Sequence, residues 1–122
     1  MIEDPRHSLG RWGEDLAARY LDEHGLTIVK RGFRCRFGEI DIIAQNPEVL
    51  VFCEVKTRRR ESFATPQESV GWSKQRRLIK TAGWYLNQRS WDGELRFDVI
   101  AILAAEGLEP QIEWIQDAFA WD

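Results

Sequence analysis

Asp41, Glu54 and Lys56 are charged residues set inside two apolar runs. Asp41 lies in Gly38-Glu39-Ile40-Asp41-Ile42-Ile43-Ala44, and Glu54 and Lys56 lie in Val51-Phe52-Cys53-Glu54-Val55-Lys56-Thr57-Arg58. Each run is rich in β-branched and apolar residues and reads as a strand. Charges in such strands are expensive unless they are paired or bind a metal. Glu54 and Lys56, two apart, project from the same strand face, separated by roughly 6.6 Å at about 3.3 Å per residue. If the turn at Gln45-Asn46-Pro47 joins the two strands as neighbours, Asp41 reaches Glu54. Two carboxylates and an ammonium suit phosphodiester cleavage. The oxygens hold a hard cation such as Mg2+ (or Mn2+), and the lysine orients or deprotonates water or neutralises developing charge.

The elements that would position these residues can be read outward from them. Ser8 is an N-cap candidate for a helix with Leu9, Trp12, Leu16 and Tyr20 on one face and Ala17 and Leu21 beside them. Gly25 closes that helix. Glu14 sits at the border of its apolar face, where a solvated charge and an approach to the sheet are equally open readings. Asp15 faces Arg11 and Arg19 at four-residue spacing. Leu26 to Phe33 is a first strand, followed by a basic turn at Arg34-Cys35-Arg36. Gly38 to Ala44 and Leu50 to Thr57 form a hairpin. Residues 58 to 64 read as an exposed loop, and Thr65-Pro66-Gln67-Glu68 fits a capping box. Gly71 breaks that turn and Ser73 caps a longer helix. Its buried stripe is Leu78, Ile79, Ala82, Tyr85 and Leu86, with Lys74, Arg77 and Thr81 on the other side. Leu95 to Leu103 is a strand, Gly107 to Pro110 a turn, and Gln111 to Ile115 a short edge strand. A parallel, right-handed crossover from the third strand through the long helix to Leu95–Leu103 gives an α/β sandwich of core order α-β-β-β-α-β.

The order Gly13-Glu14, Gly38-Glu39-Ile40-Asp41, Phe52-Cys53-Glu54-Val55-Lys56-Thr57-Arg58, Lys74 with Arg77-Leu78, and Arg96-Phe97-Asp98-Val99 resembles the PD-(D/E)xK nuclease superfamily. More closely, it resembles the YraN-like family of small bacterial proteins, relatives of the archaeal Holliday-junction resolvases. The resemblance spans about residues 10 to 119. Ile40 stands where the superfamily name has Pro, and Cys53 where Val is expected; neither change touches a ligand. The resemblance implies a restriction-endonuclease-like fold with a mixed sheet flanked by helices. It moves Glu14 to a ligand role beside Asp41 and Glu54, with Lys56 assisting the attacking water. Arg58, Arg59, Lys74 and Arg77 would hold phosphates, Lys74 helped by a helix N-terminus. Since junction resolvases use two active sites, it also implies a homodimer.

At 122 residues the chain is expected to be one domain, its core about residues 8–119. No apolar run approaches 18 residues and the N-terminus has no signal-peptide core, so a cytoplasmic protein without a membrane partner is expected. Cys35 and Cys53 make neither a disulfide framework nor a zinc site. The net charge is −3, but it is unevenly spread. Residues 30–80 carry twelve Lys and Arg against six Asp and Glu, and residues 106–122 carry no Lys or Arg. The basic part contains the carboxylate motif, which suits DNA better than the net charge suggests.

Other residues receive structural readings. Glu39 is a partner for Arg36 or supports a ligand, and Asp98 pairs with Arg96 or a sheet neighbour. Trp72, Trp84, Trp91, Trp114 and Trp121 fill the core or its rim sooner than they stack on bases. The leading expectation is a metal-dependent endonuclease acting on DNA, branched or single-stranded. The alternatives are a non-catalytic nucleic-acid-binding module on the same fold, and an interaction domain whose charges form internal salt bridges.

Overall fold

The computed structural model describes residues 5–59, 70–105 and 107–121. The elements are α1 (Pro5–Glu23), β1 (Thr27–Cys35), β2 (Gly38–Gln45), β3 (Val49–Arg59), α2 (Trp72–Leu86), β4 (Glu94–Ala104) and β5 (Gln111–Phe119). The strands form one sheet in sequence order, β1-β2-β3-β4-β5. β3 and β4 run parallel, in register from Val49↔Glu94 to Arg59↔Ala104, and the other pairs are antiparallel. This is the expected mixed sheet with a helical crossover, a restriction-endonuclease-like α/β sandwich.

Alternation on β3 splits the core in two. Val49, Val51 and Cys53 face Ala17, Ala18 and Leu21 of α1, together with Ile42, Ala44, Ile100 and Ile102. Leu50 and Phe52 face Leu78, Ala82 and Tyr85 of α2, with Ile43, Phe97 and Val99. A strand covered on both faces must be apolar on both, which is why this run barely alternates in hydrophobicity. Cys53 is a buried free thiol, its pKa pushed up by burial and then by nearby carboxylates.

Several local readings are corrected. α1 begins at Pro5, whose fixed φ suits a first helical turn, so Ser8 lies inside the helix and is no cap. The face of α1 turned to the sheet is Gly13, Ala17 and Leu21, while Trp12 is 41% exposed. A Cβ at Gly13 would overlap the Thr57 side chain, so its absence brings α1 down onto β3. Gly25 does close the helix: at φ 94° it lets Leu26 N–H bond Leu21 O at 3.0 Å and its own N–H bond Asp22 O at 3.2 Å. Gly71, not Ser73, is the N-cap of α2, with no side-chain cap hydrogen bond. Thr81 belongs to the buried face of α2, its hydroxyl bonded back to Arg77 O at 2.8 Å. β1 continues through Arg34 and Cys35, so the turn to β2 is at Arg36 and Phe37.

β5 runs four residues past the expected Ile115. The buried Asp98 carboxylate explains this. It accepts Arg96 Nε at 2.9 Å, Arg96 Nη2 at 3.0 Å, Trp114 Nε1 at 2.8 Å and the Asp117 N–H at 3.0 Å. The last bond pins a bulge where Asp117 takes φ 54°, and β5 continues beyond it to Phe119. The pairing of Asp98 with Arg96 agrees with the sequence reading. Residues 60–64 of the expected loop and the capping box at 65–68 lie outside the described residues. Among the described residues no helix is long and apolar enough to cross a membrane.

Candidate active site

The sheet opens between β2 and β3. Their ladder runs from Gln45↔Leu50 to Ile42↔Cys53. Beyond it β2 stays paired to β1 as far as Gly38, and β3 to β4 as far as Arg59. Asp41 and Glu54 are the next residues on each strand, so they stand at the apex of the fork. Asp41 Oδ2 accepts the Val55 N–H at 2.9 Å, taking the place of the missing strand partner.

Glu54 is 7% exposed. Lys56 Nζ lies 3.3 Å from its Oε1, and Lys74 Nζ, reaching in from the first turn of α2, contacts the same oxygen. Burial, then the charge of Glu54, push the Asp41 carboxyl up to about 7, and the Val55 N–H only partly opposes this. The lysines split in opposite directions. Burial and the neighbouring Lys74 lower the Lys56 pKa. Burial also works against the Lys74 ammonium, but its bonds to Glu54 and Lys56 and the charges of Glu54 and Asp41 together raise its pKa.

Two clefts meet at Asp41. The larger, about 440 Å³, lies on the α1 side and is lined by Glu14, Asp41, Lys56, Thr57 and Arg58 among others. The smaller, about 200 Å³, lies on the α2 side and includes Glu39, Asp41, Glu54, Lys74 and Arg77. The fold thus brings Asp41, Glu54 and Lys56 together, with Glu14 across the larger cleft. Arg31 Nε lies 3.3 Å from Glu14 Oε1, and Arg31 Nη2 lies 2.6 Å from Asp15. Among the described residues no three Asp, Glu, His or Cys side chains are gathered closely enough to cage a metal. The acids form a close pair with Glu14 at a remove.

Residues 13–102 match the family described as Uncharacterised protein family UPF0102. The chain belongs to this family. A UPF0102 protein of Rhodococcus opacus (strain B4) is 51% identical over 114 residues, 92% of this chain and 96% of that protein. Another, from Syntrophotalea carbinolica, is 48% identical over 118 residues, 96% of this chain and 95% of its own. A third, from Geobacter metallireducens, is 49% identical over 113 residues, 92% of each. The span shared with UPF0102 contains Glu14, Asp41, Glu54, Lys56, Arg58, Arg59, Lys74 and Arg77.

The basic residues divide. Arg58 lines the larger cleft and Arg77 the smaller. Arg59 lines a separate hollow of about 350 Å³ with Leu9, Trp12 and Leu108. Lys74, read from sequence as a phosphate holder, is committed to Glu54. Sequence reasoning missed Arg31, the partner of both Glu14 and Asp15. Of the two readings of Glu39, a partner for Arg36 or a support for a ligand, the ion pair falls to Arg34 instead, whose Nε lies 3.3 Å from Glu39. No local signal marks the Lys74 and Arg31 contacts, which cross 20 and 17 residues of chain. The tryptophan reading holds in part: Trp91 and Trp114 pack against the core, and Trp121 stacks on Phe97 at the rim. It is corrected for Trp72, 74% exposed, and Trp84, 38% exposed, because α2 buries Leu78, Ala82 and Tyr85 against the sheet instead.

Proposed function

We propose that this protein is a metal-dependent endonuclease that cleaves DNA phosphodiester bonds in branched or single-stranded substrates. The observation that carries the reading is the Asp41–Glu54 pair at the fork of the sheet with Lys56 beside it. Two neighbouring acids, one of them pushed up to about 7 by burial and then by the charge of the other, form a site that gains from a cation. Hard carboxylate oxygens suit Mg2+ or Mn2+, and Mg2+ commonly takes only one or two carboxylates, keeping waters and substrate phosphates as its other ligands. Asp41 and Glu54 would hold the ion, with Glu14 reached through water across the cleft. Bound there, the ion supplies neutralisation of the charge that builds on the phosphate.

The chain's own residues do the rest. Lys74 keeps its proton and holds Glu54 in place. Lys56, the lysine of lowered pKa, acts as the neutral amine and takes the proton from the attacking water as that water approaches the phosphorus. The bond from phosphorus to the leaving oxygen breaks as the new one forms, and the leaving oxygen takes a proton from solvent. Val55 N–H fixes the carboxylate plane of Asp41. Arg58 and Arg77, one in each cleft, hold the phosphates on either side of the scissile one. Two copies would cut opposed strands of a branched substrate, in a cytoplasm that supplies both DNA and Mg2+.

A second reading draws on the ion pairs. Glu54 already has two lysines and Glu14 has Arg31, as a non-catalytic nucleic-acid-binding module would keep its acids balanced. A cleavage panel decides between them: duplex, single-stranded, flapped and four-way DNA with Mg2+ or Mn2+, wild type against Glu54→Gln. Metal-dependent cuts lost in the variant support the nuclease. Salt-dependent binding of every substrate, without cleavage, supports the module.

A further inference from the structure

α2 carries four cations, Lys74, Arg76, Arg77 and Lys80, and no acid. Trp72, Arg76, Lys80 and Trp84 recur at four-residue intervals and so share one helix face. This face points away from the core: Trp72 is 74% exposed, Trp84 38% exposed, and Arg76 and Lys80 are exposed. Phe37, in the turn between β1 and β2, joins it. Its ring lies 6.0 Å from that of Trp84 in an edge-on contact, with Lys80 Nζ 5.9 Å and the Arg36 guanidinium 5.0 Å from its centre. Arg76 lies 5.7 Å from the ring of Trp72. Among the described residues no carboxylate pairs with Arg76, Arg77 or Lys80.

We propose that this stripe is a stacking platform for unpaired nucleotides. A single-stranded polynucleotide leaving the cleft at Asp41 would run along α2, its bases against Trp72 and Trp84 and its phosphates on Arg76 and Lys80. The inference rests on the nuclease reading for the scissile end of the strand, and it narrows the substrate to one with an unpaired arm. Three observations support it. Aromatic faces reward bases whose planes are free, whereas an intact duplex offers phosphates to the cations and nothing to Trp72. The stripe is continuous with the cleft through Arg77, which is three residues before Lys80 and lines the pocket of Asp41 and Glu54. A two-fold pairing of this face with a second copy would set its cations against each other.

The test uses the full chain and fluorescein-labelled dT12, rU12 and a 12-base-pair duplex, read by anisotropy across a salt series. Trp72→Ala/Trp84→Ala should weaken dT12 binding by about tenfold or more, leave duplex binding within twofold, and leave the single-strand salt slope unchanged. Arg76→Ala/Lys80→Ala should lower the magnitude of that slope by about 1.4, near 0.7 per phosphate contact released. Trp72→Phe/Trp84→Phe should recover most of the loss, which separates stacking from misfolding. A similar loss on rU12 assigns the platform to unpaired strands of either sugar, and a loss confined to dT12 assigns it to DNA. Unchanged dT12 affinity in the alanine variant overturns the proposal. So does an alanine variant that abolishes self-association in sedimentation velocity while binding dT12 like wild type, which would give the face to a second copy. Wild type that neither binds Mn2+ by calorimetry nor cuts any DNA sinks the nuclease reading alone, and the dT12 comparison still decides the stripe.

Discussion

Asp41→Asn should make the metal-free protein more stable at pH 8 while abolishing its response to metal. In the folded state the Asp41 carboxyl is raised from 3.8 to about 7, by burial first and by Glu54 second. That displacement corresponds to about 4 kcal/mol of disfavoured ionisation. The folded protein binds this proton more tightly than the unfolded chain does. The contribution is therefore fully present below about pH 4 and is lost as pH rises through about 7. Asparagine keeps an oxygen for the Val55 N–H and carries no charge. In EDTA the two proteins should have similar stability at pH 4. By pH 8 the variant should lead by about 2–4 kcal/mol, at roughly 4 °C of melting temperature per kcal/mol for a chain of this size. Adding Mg2+ or Mn2+ at a hundred times its Kd should stabilise wild type by about 2.7 kcal/mol and leave the variant unmoved. Denaturant titrations at pH 4, 6 and 8, with and without metal, provide both comparisons. A difference that stays flat with pH would refute the electrostatic argument. A variant that gains as much from metal as wild type would refute the ligand assignment.

Lys56→Arg keeps a cation beside Glu54 but not a titratable amine, so it should fold and bind DNA yet lose about 10²–10⁴-fold in cleavage rate; retained cleavage would leave Lys56 an electrostatic role only. Arg58→Glu/Arg59→Glu should flatten the salt dependence of DNA binding, and an unchanged slope in a filter-binding series would mean that these side chains touch no phosphate. Asp98→Asn sets amide hydrogens against the Arg96 and Trp114 donors and should cost about 3–5 kcal/mol in urea unfolding; a loss below 1 kcal/mol would mean that β5 is held by its apolar contacts alone. Gly13→Ala should cost about 1–3 kcal/mol by pressing on Thr57, and Thr57→Ala in the same chain, which removes the hydroxyl but keeps a Cβ 2.9 Å away, should restore part of it, a coupling that a double-mutant cycle would measure.

The parts of this architecture that sequence reveals depend on short-range patterns. β2, β3 and β4 were legible because apolar β-branched runs 8–11 residues long admit few other conformations in a chain this size. The meeting of Asp41 and Glu54 followed from one tight turn, in which Asn46 Oδ1 accepts the Glu48 and Val49 N–H groups. The Arg96–Asp98 bond followed from two-residue spacing on a strand. What failed depended on the rest of the molecule. Ser8 and Ser73 have good cap chemistry, but the helices start at Pro5 and Trp72, where the backbone geometry already permits it. Thr81 looks polar and is buried, because packing against Gly38 decides its place. Trp72 and Trp84 look like core and face outward, since other side chains of α2 pack against the sheet. The ammonium of Lys74 on Glu54 is invisible to periodicity because it depends on where the crossover lands.

The parallel ladder between β3 and β4 also bears on how the molecule comes into being. It is the longest pairing in the sheet, and none of it can form until the 34 residues from 60 to 93 have looped back. Closing such a loop costs entropy before any pairing repays it, and pairings distant in sequence slow folding. β3 gains its second neighbour only at that closure, and the same event delivers Lys74 to Glu54. A hairpin of β2 and β3 formed early would hold Asp41 and Glu54 with no lysine from α2 between them and solvent. Pulse-labelled hydrogen exchange should therefore find the β2–β3 amides protected before those shared by β3 and β4. A truncated or newly emerging chain would carry both acids of the fork without the geometry that makes them a site.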